Sequence, residues 1–153
     1  MQKILISACL MGENVCFDGK NSKNSSEIIK KWQKDGCLVV FCPEVSGGLP
    51  VPRPPAEIQP DEQIITVEGS DVTAAFEQGA EKALGLCREH HIHIAILKEG
   101  SPSCGSSLIN DGHFSHTKIS GQGVTTQLLE ANGIFVFSEN ELDQAEEYLR
   151  STQ

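Results

Sequence analysis

The chain has no C-x-x-C pair, no run of basic residues and no apolar stretch longer than a strand needs. Each absence removes a class of protein. Without closely spaced cysteine pairs, the zinc-ribbon and ferredoxin patterns fail, and a dithiol oxidoreductase fails with them. Lys and Arg number 12 against 21 Asp and Glu, a net charge of −9. That balance offers no surface for tracking phosphates, so nucleic acid is not an expected partner. Apolar runs this short exclude a helical membrane span. The first residues lack the apolar length and small-residue cleavage pattern of a secretory leader, and a cytoplasmic location is expected. No repeat, low-complexity tract or linker interrupts the sequence. Residues 1–153 are enough for one α/β domain with a continuous core.

What is present is six cysteines, and in a reducing compartment these point to metal binding or catalysis before disulfides. β-type runs are expected over 3–8, 37–42, 64–67, 92–97 and 134–137. Helical patterns fall between them. One starts at Ser25 or Ser26 and runs to Asp35, a second covers 71–90 behind Ser70 or Asp71, and two more cover 123–131 and 139–150. Past Pro43-Glu44, the Gly- and Pro-rich stretch from Ser46 to Pro55 is expected to be irregular, with backbone amides free to face a ligand. Strands alternating with helices predict a Rossmann-like three-layer α/β sandwich with a mainly parallel sheet of about four to five strands. In such a sheet every strand ends on the same edge, and ligands collect there. Cys9, Cys42 and Cys104 each lie at or just past the end of a β-type run, so the fold should bring three distant thiols together.

Cys37 and Cys87 sit in apolar patterns and fit simple packing. Cys16 leaves three roles open: a fourth ligand, a resolving thiol, or a filler beneath its loop. Three convergent thiolates suit a tetrahedral zinc or an iron–sulfur cluster, each with one coordination position left open. Gly47, Gly48 and Gly105 favour the larger object, because they leave room for it and offer N–H donors to its sulfurs. The alternatives are a zinc hydrolase using the same cysteines with Glu44, and a non-enzymatic carrier of clusters or sulfur. The five histidines form no helical metal-binding pair.

Four stretches narrow the choice: Ser7-Ala8-Cys9-Leu10-Met11-Gly12 with Phe17-Asp18-Gly19; Cys42-Pro43-Glu44-Val45-Ser46-Gly47-Gly48-Leu49 with Pro52-Arg53 and Ala56-Glu57; Lys98-Glu99-Gly100-Ser101-Pro102-Ser103-Cys104-Gly105; and Gly121-Gln122-Gly123-Val124. In these the chain resembles the family labelled DUF523, which includes thiouracil desulfidases. The resemblance implies a [4Fe-4S] cluster held by Cys9, Cys42 and Cys104, with one iron free to bind the substrate's sulfur. It implies a non-redox reaction on a small molecule, 2- or 4-thiouracil, giving uracil and hydrogen sulfide. Glu44 and Ser101 are then the expected catalytic residues, Glu44 as the base for the attacking water. Ser103, Gly47, Gly48 and Asp18 are expected on the substrate's side. Phe17 stands where Tyr is the commoner aromatic. Asp18 and Glu57 should brace loops, and Arg53 is expected to pair with one of them. A monomer and a homodimer both remain open.

Overall fold

The computed structural model describes residues 2–152. In chain order the first elements are β1 (Ile4–Ser7), α1 (Glu27–Lys34), β2 (Leu38–Phe41), α2 (Pro43–Ser46), β3 (Ala56–Ile58), β4 (Ile64–Thr66) and α3 (Thr73–Glu89). There follow β5 (Ile94–Leu97), β6 (Leu108–Asn110), β7 (Lys118–Ser120), α4 (Val124–Ala131), β8 (Phe135–Ser138) and α5 (Leu142–Ser151). Strands β1, β2, β5 and β8 form one wholly parallel sheet in the order β2-β1-β5-β8.

β1 is buried along its whole length, and its side chains alternate between two cores. Ile4 and Ile6 pack with Ile29 and Trp32 of α1 and with Leu142 and Leu149 of α5. Leu5 faces the other way, onto Ala83, Leu84 and Cys87 of α3 and Leu129 of α4. Helices therefore cover both faces of the sheet, which makes the three layers anticipated from the sequence. Cys37 belongs to the first core and Cys87 to the second, as packing residues should.

Local chemistry sets the helix ends. Ser26 Oγ accepts the Ile29 N–H at 3.3 Å and starts α1, and Gly36, at φ +71°, turns the chain out of it. α3 begins two residues later than its anticipated cap, because Asp71 spends its oxygen on the amide and hydroxyl of Thr73 at 2.9 and 2.6 Å.

Two features differ from expectation. A short helix not anticipated from the sequence precedes the Gly/Pro-rich stretch and takes in its first residue, Ser46. Pro43 opens the short helix α2 directly after Cys42, a position where proline's missing N–H costs nothing. Two antiparallel hairpins, β3–β4 and β6–β7, also stand outside the main sheet. Their strands are three residues each; β4 matches the run expected over 64–67, while β3, β6 and β7 are too short to show a period in sequence. Glu57 joins the hairpins by accepting the amides of Gly112 at 2.9 Å and Phe114 at 3.2 Å, so it does brace a loop. Among the described residues no helix is long and apolar enough to cross a membrane.

A candidate cluster site at the carboxyl edge of the sheet

The parallel sheet delivers the ends of β1, β2 and β5 to one edge, and a cavity of about 560 Å³ opens there. Cys9, Cys42 and Cys104 all line it, and so does Cys16. Cys9 lies in a 3-10 turn, Ala8–Met11, that continues β1, and Cys42 sits between β2 and α2. Cys104 occupies the loop after β5, which Glu99 organises. One Glu99 oxygen accepts the amides of Ser106, Ser107 and Leu108 at 2.8, 3.1 and 3.1 Å, and the other accepts the hydroxyls of Ser106 and Ser107, both at 2.9 Å.

The thiols sense one another. Burial pushes the Cys9 thiol well above its usual range, and the neighbouring Cys104, Cys16 and Cys42 push it further. Cys104 is pushed up to about 12, by burial first and then by the charge of Glu44. Cys42 is raised by burial, while the amides of Val45 and Glu44 pull the other way without closing a formal cap. Thiols in this setting stay protonated unless a metal supplies positive charge to replace the proton. Among the described residues, no three His, Cys, Asp or Glu side chains gather tightly enough to hold one metal ion. Sulfur donors spread around a shared cavity suit a polynuclear iron–sulfur group, in which each thiolate meets its own iron.

Glu44 and Ser101 reach the same cavity. Ser101 Oγ accepts the Cys104 N–H at 2.6 Å, so its own hydrogen is left to donate into the cavity. Arg53 does not pair with Asp18 or Glu57. It pairs with Glu44, through Nε at 3.1 Å and a terminal nitrogen also at 3.1 Å. Both contacts fall on Glu44 Oε1. Arg53 also donates to the carbonyls of Pro50 at 3.1 Å and Val15 at 2.8 Å, tying the Cys16 loop to the Glu44 segment. The Glu44 side chain is 16% exposed, and burial raises its pKa despite the opposing charge and hydrogen bond of Arg53.

Of the other anticipated substrate contacts, Ser103, Gly47 and Gly48 fall outside the cavity, whereas Asp18 lines it. Ser103 is fully buried off the cavity, sharing a 2.9 Å hydrogen bond with Thr125 Oγ1. Gly47 and Gly48 do not line the cavity, and their amides are taken by the carbonyls of Pro43 and Val45. Gly47 is small for another reason: a Cβ there would lie 2.0 Å from the Ala75 carbonyl oxygen of α3. Gly105 likewise gives its amide to the Ser101 carbonyl. Asp18 is at the cavity wall but exposed, where it accepts the Lys20 amide at 3.0 Å. Phe17 shares that rim, and Cys16 is half-buried with its sulfur 3.8 Å from Ser22 Oγ. Lys98, Asn110 and Lys118, which the sequence did not single out as site residues, complete the wall. The last two arrive on the β6–β7 hairpin, so only recognition of that hairpin would have found them.

With this geometry in place, comparison with known proteins is informative. A YbbK protein of Bacillus subtilis (strain 168), described as uncharacterized, is 42% identical over 149 residues, covering 92% of this chain and 97% of that one. A solved structure described as the [4Fe-4S]-dependent thiouracil desulfidase TudS (DUF523Vcz) is 49% identical, with a TM-score of 0.96. The match covers 98% of this chain and 99% of that one. The profile of the family described as 2-thiouracil desulfurase matches residues 4–141. This chain therefore belongs to the 2-thiouracil desulfurase family.

Proposed function

We propose that this protein is a [4Fe-4S]-dependent desulfidase that converts 2- or 4-thiouracil and water to uracil and hydrogen sulfide. The observation that carries the reading is the meeting of Cys9, Cys42 and Cys104, from three parallel strand ends, in a cavity shared with Glu44 and Ser101. The protein works as one domain over residues 1–153, in the cytoplasm, on a small molecule and without nucleic acid, as a monomer or homodimer.

The donor set fits the cofactor: three sulfurs around one cavity, Cys104 buried and Cys9 and Cys42 partly so, and mutually repulsive as thiolates. Cys9, Cys42 and Cys104 would hold it. When bound, the cluster supplies one iron without a protein ligand, a Lewis acid suited to the soft sulfur of a thiocarbonyl. Everything else falls to the chain. Glu44 Oε2, the oxygen that Arg53 leaves alone, takes a proton from the water that attacks the thiocarbonyl carbon. Arg53 keeps that carboxyl in one orientation. The carbon–oxygen bond forms and the carbon–sulfur bond breaks. Glu44 returns the first water proton to the departing sulfur and then relays the second from the new hydroxyl. Both protons leave as hydrogen sulfide, and the carbonyl of uracil remains. No electrons change hands. Ser101 Oγ–H donates to the substrate's remaining carbonyl oxygen or to the water, and holds the reacting groups in register.

Anaerobic reconstitution with iron and sulfide, followed by a sulfide-release assay on both thiouracils, tests the proposal. The expected result is a brown protein with about four irons per chain that releases sulfide. A colourless protein binding one zinc would overturn it in favour of a hydrolase. A cluster that passes to acceptor proteins, with no turnover of either thiouracil, would make the protein a carrier.

A further inference from the structure

Ser7 ends β1, immediately before the turn that carries Cys9, and is only 3% exposed. Its Oγ accepts the Lys98 N–H at 3.0 Å, bridging the ends of β1 and β5. The same hydroxyl donates to Cys104 Sγ at 3.8 Å, within hydrogen-bond reach of sulfur, from a residue 97 positions away. The amide contact fixes the oxygen's orientation, and a hydroxyl has one hydrogen to give. That hydrogen goes to a sulfur. Ser103 also hydrogen-bonds this thiol, from a hydroxyl it shares with Thr125, so Cys104 has two serine partners, of which Ser7 is the one that ties it to β1. The amide of Cys104 itself is spent on Ser101, and that of Gly105 on the Ser101 carbonyl. Ser7 is thus a buried, pre-oriented donor aimed at one of the three sulfurs, and neither substrate binding nor proton transfer employs it.

We infer that Ser7 is a positioning residue that holds the Cys104 sulfur as a thiolate ligand and tunes the cluster bound there; the inference rests on the cluster reading above. A hydroxyl donating to a ligating sulfur stabilises the negative charge that accumulates on a reduced, thiolate-bound cluster. It therefore raises the reduction potential and slows loss of the thiolate from iron. Because the donor belongs to β1 and the acceptor to the loop after β5, the bond also fixes the spacing between the Cys9 and Cys104 ligands.

The test uses the reconstituted holoprotein under anaerobic conditions, with Ser7→Ala and Ser7→Thr. Two quantities are read: the midpoint potential by spectroelectrochemical titration, and the rate at which iron passes to excess chelator. Ser7→Ala should shift the potential to more negative values and speed iron release about tenfold, the scale of one lost hydrogen bond to a charged group. Ser7→Thr keeps the hydroxyl and should return both quantities toward the parent. Removing the Lys98 amide's partner will also lower the melting temperature, but a purely structural role would leave the potential unmoved, and that result overturns the inference. Where Ser7→Ala fails to load iron, Ser7→Val supplies the comparison, since it has the shape of threonine without the hydroxyl. Equal potentials for the valine and threonine variants overturn the inference as well. If the unsubstituted protein takes up no iron at all, the cluster reading itself falls and this one with it.

Discussion

At Glu44, burial and an ion pair act in opposite directions. Enclosure favours the neutral carboxyl, Arg53 on Oε1 favours the carboxylate, and burial prevails, so the pKa rises. The base is therefore lost on acidification earlier than an ordinary carboxylate would be. Activity should fall as pH drops through a window above the usual carboxylate range, and Glu44→Gln should abolish that acid limb. The same variant should keep its iron and lose about 10²–10⁴ in kcat; retention of the full rate would remove Glu44 from the mechanism. Cys9→Ser, Cys42→Ser and Cys104→Ser should each lose iron and turnover together, measured by metal analysis and sulfide release. Glu99 shows the opposite sign. Burial alone would raise its pKa, but the amides of Ser107 and Leu108 and the hydroxyls of Ser106 and Ser107 bring it down to about 2. A carboxylate depressed in the fold stabilises it above the unfolded-state pKa and gives that up as pH falls toward 2. Glu99→Gln should cost on the order of 1–2 kcal/mol at neutral pH, discounted for solvent exposure, and nothing near pH 2. Denaturant melts at both pH values measure this. Residues that touch across loops were the hardest to read in advance. Arg53 could have met any nearby acid, and its choice of Glu44 over Asp18 or Glu57 depends on how the segment from Pro50 to Arg53 folds back.

Elements were legible in proportion to their length. Ser26 before Ile28, Ile29 and Trp32 marks the start of α1, and the stripe Phe76, Ala80, Ala83 and Cys87 marks α3. The apolar run of β4 was legible, but β3, β6 and β7 carry no comparable period, and α2 hides behind glycine and proline. The contact between α2 and α3 explains why Gly47 and Gly48 misled. They read as a ligand cradle, yet Gly47 and Gly79 are there to let two backbones touch. A Cβ on Gly79 would sit 1.9 Å from the Pro43 carbonyl oxygen. Helix propensity alone would make Gly79→Ala stabilising by roughly 1 kcal/mol. The contact reverses that sign. Gly79→Ala should melt earlier and hold less iron, because it pushes away the helix that follows Cys42 and carries Glu44. A melting temperature equal to or above the parent's would show that α2 can shift without harm.

Across the whole molecule, three loops that belong to different strands enclose one site, so the bound cluster and the fold should stabilise each other. Stripping iron with a chelator should lower the melting temperature by about 5–10 °C where free cluster components exceed their dissociation constant a hundredfold. An unchanged melting temperature after complete iron loss would mean that the loops hold their positions without it. Sequence alone determined the alternation of strand and helix, and with it the layers and the common edge, since period and capping are local properties of the chain. It also singled out Cys9, Cys42 and Cys104 for that edge, because each follows a β-type run while Cys37 and Cys87 lie within apolar patterns, but it left Cys16 open. Only the tertiary structure decided what surrounds those thiols: Arg53 on Glu44, Ser7 on Cys104, Ser103 turned into the core, and Lys118 brought in on a hairpin. Such pairings join residues far apart along the chain, and what selects them is the path of every loop at once.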